Sequence, residues 1–241
     1  MSLREYRTRL RGATDRADSP ALVELLTLSP WPKDALQLVG DAILVVVASD
    51  ATDALAMARR CVAALEERGW EGDAELAAAL ASAGNDGPPP MLRPVPVDLD
   101  ELASVLEGDP VHGGGRLDLR TGEVWPQAVV DDFDDDEEED DDDDEEEEED
   151  DSRWLWVDPQ GSRAGHRDME LFIGTVEDPA LADRLTTAVA GRGAFRRFKD
   201  VIAADPAAAD RWYARSEDRL RGRARSWLAA QGYSPIRARQ P

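Results

Sequence analysis

The stretch 116-RLDLRTGEVW-125 is where this chain stops reading as helix. Leu117 and Leu119 alternate with charged residues, and Thr121-Gly122 stands between two strand-like arms, the signature of a tight antiparallel hairpin. A third strand is expected at 153-RWLWVD-158, closed by the turn Pro159-Gln160-Gly161. Its alternation puts Trp154 and Trp156 on one face and Leu155 and Val157 on the other. Upstream, apolar residues recur at helical spacing. Leu22, Leu25 and Leu26 form a short face, Asp34 is placed to open a second helix, Asp50 or Thr52 a third that ends at Gly69, and Asp73 a fourth. The run Val45–Val47 reads as helix because its flanks are Ala-rich and long. The expected fold class is α+β: a small all-helical N-terminal bundle, then a domain with a small antiparallel sheet followed by several helices.

Residues 84–98 carry five prolines and two glycines in 15 positions, which no helix accommodates. The expected organisation is therefore a helical domain at 1–83, a Pro-rich linker at 84–98 and an α+β domain at 99–241. The last opens with the helix DELASVLEG, expected to end at 113-GGG-115. Helices return after the third strand. Asp178-Pro179 and Asp205-Pro206 each pair an N-cap acid with Pro at the first helical position, and the last helix is expected to end near Gly232.

The formal net charge of −24 over 241 residues is concentrated in one place. From Asp131 to Asp151, 20 of 21 residues are Asp or Glu, and without them 32 acids face 28 bases. Like charges and a single Phe133 cannot offset the entropy of ordering, so this insert is expected to be disordered. A poly-acid tract attracts counterions diffusely and is not an ordered metal site, so no metal or cofactor is expected. The single Cys61 excludes an intrachain disulfide and a Cys-based zinc site. The charged N-terminus has no secretory h-region, and the longest apolar run is interrupted by Asp41, so a cytoplasmic protein without a membrane partner is expected.

Opposite in sign is the C-terminal segment, where Gly191–Pro241 holds 12 basic and 5 acidic residues. It begins 191-GRGAFRRFKD-200. On a helical wheel Phe195, Phe198, Val201 and Ile202 share one side, so both phenylalanines are expected in the core. Gly193 frees the helix entry, and the first turns carry Arg196, Arg197 and Lys199. Basic residues there oppose the helix dipole unless an anion offsets them. Gly193, Arg196, Arg197 and Lys199, with Arg215 and Arg219 of the last helix, are thus the candidate anion-binding residues. The GRG lacks the third glycine and the preceding strand of a dinucleotide site. In the last helix Tyr213, Leu220, Ala224, Trp227 and Leu228 form one apolar stripe.

The succession LDLRTGEVW, RWLWVD, HRDMELFIGTVEDPALADRL, GRGAFRRFKDVI and RWYARSEDRL resembles a bacterial uncharacterised protein family with a G-x-G-A-F-R-R-F-K-D core. The resemblance spans about Arg116 to Leu228 and implies a compact α+β domain, but no reaction and no functional residue.

Catalytic constellations are sparse. His112 sits beside the triple glycine as a loop residue. His166, with Asp168 and Glu170 nearby, is the alternative enzyme site, together with the Gly191–Gly193 helix start. No Ser is framed as G-x-S-x-G, and Cys61 has no His partner. The tryptophans Trp125, Trp154, Trp156, Trp212 and Trp227 read as packing. The favoured reading is a non-catalytic interaction or regulatory protein. Its basic C-terminal helices would meet an anionic partner, nucleic acid or an acidic protein, with the acidic tract as tethered competitor or as a tail for a basic protein. A purely solvating insert is the third reading.

Overall fold

The computed structural model describes residues 1–51, 53–84, 91–108, 113–127 and 153–237. Thr52, His112, most of the acidic tract's surroundings and the tract itself lie outside the described residues, as do 85–90 of the Pro-rich stretch. The architecture is α+β. It divides into two compact units, one of Met1–Pro90 with Gly165–Arg223, the other of Met91–Ala164 with Ala224–Pro241.

The first unit begins with α1 (Leu3–Asp15), α2 (Ser19–Thr27), α3 (Leu36–Ala48), α4 (Ala54–Arg68) and α5 (Asp73–Ala83). Ser2 and Asp18 cap α1 and α2 through the N–H groups of Glu5 and Ala21. Gly69 ends α4 in the left-handed conformation, as its sequence position predicts. Leu10, Leu22, Leu26, Val39, Ile43, Leu65, Leu76 and Leu80 form the core of this bundle. Three expected caps take other roles. Asp34 lies in a 3-10 turn, Lys33–Ala35, and neither Asp50 nor Asp73 occupies the N-cap position of the helix it was expected to open. Asp73 is instead buried in an ion-pair network, described below.

The same unit takes α7 (Ser162–Ile173, from Gly165 on), α8 (Pro179–Val189), α9 (Ala194–Ile202) and α10 (Pro206–Ala230, to Arg223). Asp178 and Asp205 cap α8 and α10 as expected, accepting from the N–H groups of Ala180 and Ala208. Met169, Phe172, Leu185, Phe198, Ile202 and Trp212 make a second apolar cluster. Phe172, Phe198 and Trp212 meet edge to face, with Phe198 and Trp212 centroids 4.7 Å apart.

In the second unit, α6 (Leu99–Glu107) is capped by Asp98 and stopped by Gly108, five residues before the triple glycine expected to end it. The hairpin forms as read: β2 (Gly115–Asp118) pairs antiparallel with β3 (Val124–Pro126), and β4 (Trp154–Val157) adds to the other edge of β2. Leu117 and Val157 are buried. A Cβ added at Gly115 would lie 3.0 Å from Val105 of α6, so this face of the sheet looks toward that helix. Part of the Pro-rich stretch is not linker. Arg93–Val95 forms β1, parallel to β5 (Tyr233–Pro235), a pairing of distant segments that no local pattern announces.

Candidate anion-binding surface

The six candidate residues part company in the structure. Gly193 is the N-cap residue of α9, left-handed at φ 74°, with no side-chain cap on the helix. Ala194 and Phe198 turn inward; Arg196 and Lys199 are exposed. Arg197 bends back over the end of α8 and donates to the carbonyls of Ala188 at 3.1 Å, Ala190 at 2.5 Å and Arg192. It therefore serves as a cationic cap on the last carbonyls of α8, where the helix dipole favours positive charge. Phe195 corrects an expectation: it is 38 % exposed, its ring against Gly165 of α7, whereas Phe198 is fully buried. Both share the apolar side of the wheel, but Phe195 lies in the first turn of α9, while Phe198 and Ile202 further along are the fully buried ones.

Arg215 and Arg219 are bound from within. Arg215 pairs with Asp34 at 3.4 Å, and Arg219 pairs through Nε with Asp168. Arg223 takes the second oxygen of Asp168 at 2.7 Å, and Arg221 meets Asp41 at 2.6 Å. Below them, Arg68 bridges Asp73 and Asp218, each at 2.5 Å, with all three side chains at least 95 % buried. Gln37 joins both carboxylates, donating from its backbone N–H to Asp218 at 3.0 Å and from its amide to Asp73 at 2.8 Å. Burial pushes the Asp218 carboxyl up, against the pull of Arg68 and the Gln37 N–H. Burial and the neighbouring Arg219 draw Arg215 down, against the pull of Asp34. The Trp70 ring packs under Arg68, Arg215 and Arg219, 4.1 to 5.3 Å from their guanidinium carbons.

This network was not read from the sequence. Two signals for it are present: Gln37 and Asp41 interrupt an otherwise apolar helix, and the arginines of α10 recur on more than one face. The apolar stripe expected on α10 is corrected accordingly. Tyr213 is 46 % exposed, while Asp218, Arg223 and Arg225 are buried beside Trp212, Ala214, Ala224 and Leu228.

Of the enzyme alternative, His166 and Glu170 come together, whereas Asp168 is engaged elsewhere. His166 donates from Nε2 to the Val189 carbonyl at 3.0 Å, which turns Nδ1 toward Glu170, 3.6 Å away. Asp168 has both oxygens engaged by Arg219 and Arg223. Cys61 is fully buried, and burial, partly offset by Arg68, pushes its thiol up to about 12, so it is not a poised nucleophile. Among the described residues no group of three His, Cys, Asp or Glu side chains is placed to hold a metal ion, and no helix is long and apolar enough to cross a membrane.

The model of the Uncharacterised protein family UPF0158 matches residues 98–240, more than half of the chain. The chain belongs to this family. Its UPF0158 segment starts at the N-cap of α6 and reaches beyond both ends of the resemblance read from the sequence. Helices α1 to α5 precede the matched residues, yet Asp34, Asp41 and Arg68, which pair with Arg215, Arg221 and Asp218 of α10 in the UPF0158 segment, come from them or their connections. Comparison with curated proteins and with solved structures finds no match.

Proposed function

We propose that this protein is a non-catalytic interaction or regulatory protein that meets an anionic partner through the basic start of α9, with the acidic tract at 131–151 as a tethered competitor. The observation that carries the reading is the contrast along the basic segment. Arg197, Arg215 and Arg219 are occupied by internal acceptors, whereas Arg196 and Lys199 stand exposed, with no ion pair among the described residues. Two cations near a helix start with free N–H groups are unfavourable alone and favourable with an anion present. The tract supplies 20 negative charges on the same chain, and tethering gives it an effective concentration on the order of millimolar.

Fluorescence anisotropy with a labelled single-stranded oligonucleotide and with heparin, at low and moderate salt, tests this. Deleting Asp134–Asp150 should raise affinity at least tenfold, with a steep salt dependence. Adding Arg196→Glu and Lys199→Glu to the deletion should abolish the gain. Equal and negligible binding by the intact and deleted forms would discard the reading and leave the tract a solvating insert.

A further inference from the structure

The second unit carries a surface that neither the family nor α9 accounts for. In the three-stranded sheet, Arg116 of β2 lies in register with Trp125 of β3 on one side and Trp156 of β4 on the other. Directly opposed residues of antiparallel strands share a face, so these three side chains form a row across the sheet, on the face opposite Gly115 and Leu117. Trp154, two residues from Trp156, lies on the same face and meets Trp125 edge to face at 6.0 Å. The rings already hold guanidinium groups: Arg116 lies 4.2 Å and Arg153 4.9 Å from the Trp154 centroid. Trp156 differs. It is 58 % exposed, and no guanidinium of the described residues covers it. The expectation that the tryptophans are all packing therefore fails at this one.

We infer that the Trp156 face of the sheet docks a Lys/Arg-rich segment of another protein. An exposed indole face attracts cations, and the neighbouring rings show that this sheet packs guanidinium groups against tryptophan. Charge complementarity selects the occupant. The connection from β3 to β4 holds 20 acids, so the strands that carry Trp125 and Trp156 are the two that this strongly negative segment joins. A polyanion that stacked on Trp156 would be repelled by it, and a cationic segment would be drawn in and then held by the indole. Arg116 and Arg153 do not reverse the balance, because Arg153 is paired with Asp118 and Arg116 is one charge against 20. The proposal shares the acidic tract with the reading of α9, but it concerns a different unit and a partner of opposite sign, so loss of anion binding at α9 and loss of peptide binding at Trp156 are separate outcomes.

The test uses the full chain and three probes: an oligo-arginine peptide, an oligo-lysine peptide and a single-stranded oligonucleotide, each followed by indole fluorescence and anisotropy. Wild type should bind oligo-arginine more tightly than oligo-lysine, since guanidinium stacks on indole better than ammonium does. Trp156→Ala, at an exposed position, should leave the circular dichroism spectrum unchanged and weaken oligo-arginine about fivefold. Trp156→Phe should recover part of the loss, and Tyr213→Ala, an exposed aromatic of the other unit, should change nothing. Undiminished oligo-arginine binding by Trp156→Ala would overturn the proposal, because attraction to the tract alone would then explain it. Tighter binding of the oligonucleotide than of either peptide, lost in Trp156→Ala, would overturn it in favour of a nucleic-acid face.

Discussion

Gly222 sits inside α10, where glycine ordinarily costs a helix about 1 kcal/mol relative to alanine. Its reason is a close approach. A Cβ there would fall 2.2 Å from the carbonyl oxygen of Glu71, and one at Gly72 would fall 2.1 Å from that of Gly222. Gly72 also needs its left-handed φ of 83°, so neither backbone can yield easily. Gly222→Ala should therefore destabilise by about 1–3 kcal/mol, against its helix propensity, in urea unfolding. A stabilised variant would mean the two backbones are further apart. Asp118 is a second residue with a measurable signature. Burial alone would raise its carboxyl, but the Arg153 guanidinium and the N–H groups of Arg120 and Thr121 outweigh burial and hold it at about 2. A carboxylate depressed in the folded state stabilises above its unfolded pKa and loses that contribution as pH falls through the folded value. The stability gap between wild type and Asp118→Asn should thus be about 2 kcal/mol near neutrality and close between pH 4 and pH 2. A gap that stays constant across that window would show that Asp118 titrates normally.

At the scale of the element, α9 and α10 show why amphipathicity is an incomplete guide. In α9 the wheel identifies the buried side, and Phe198 obeys it, but Phe195 sits one turn earlier, at the helix mouth, against Gly165 and 38 % exposed. Phe198→Ala should cost about 3–5 kcal/mol, and Phe195→Ala about 1 kcal/mol or less, in parallel thermal or urea melts. Equal losses would place both rings in the core. In α10 the charged positions Asp218, Arg223 and Arg225 are as buried as the apolar ones. A charge can be buried only where its partner arrives with it, and for Asp218 that partner, Arg68, is 150 residues away in the chain.

For the whole molecule, the first unit joins helices outside the matched family residues with α7 to α10 inside them. A fragment of residues 91–241 would strip Asp34 from Arg215 and Asp41 from Arg221, and leave Asp218 without Arg68 and Gln37. The fragment is expected to melt well below the full chain, and its freed arginines should bind heparin more tightly. A fragment with the same melting temperature and the same heparin affinity would show that these pairs contribute little to either property.

The sequence by itself determined the elements. Helical periodicity, acids before Pro179 and Pro206, Gly69 at a helix end and the Thr121-Gly122 hairpin are local signals, written within a few residues of where they act, and each appears in the structure. It also determined the family and the concentration of negative charge in one tract. Only the tertiary structure decided which cations remain open to a partner. Arg215 and Arg196 look alike in a charge count, yet one meets a carboxylate 181 residues away and the other stands exposed. Trp156 and Trp154 look alike in a strand pattern, yet only Trp154 is covered by guanidinium groups. Periodicity reports which side of an element is apolar. Whether a charge or a ring on that element is free depends on which distant segment docks against it, and no local pattern encodes that.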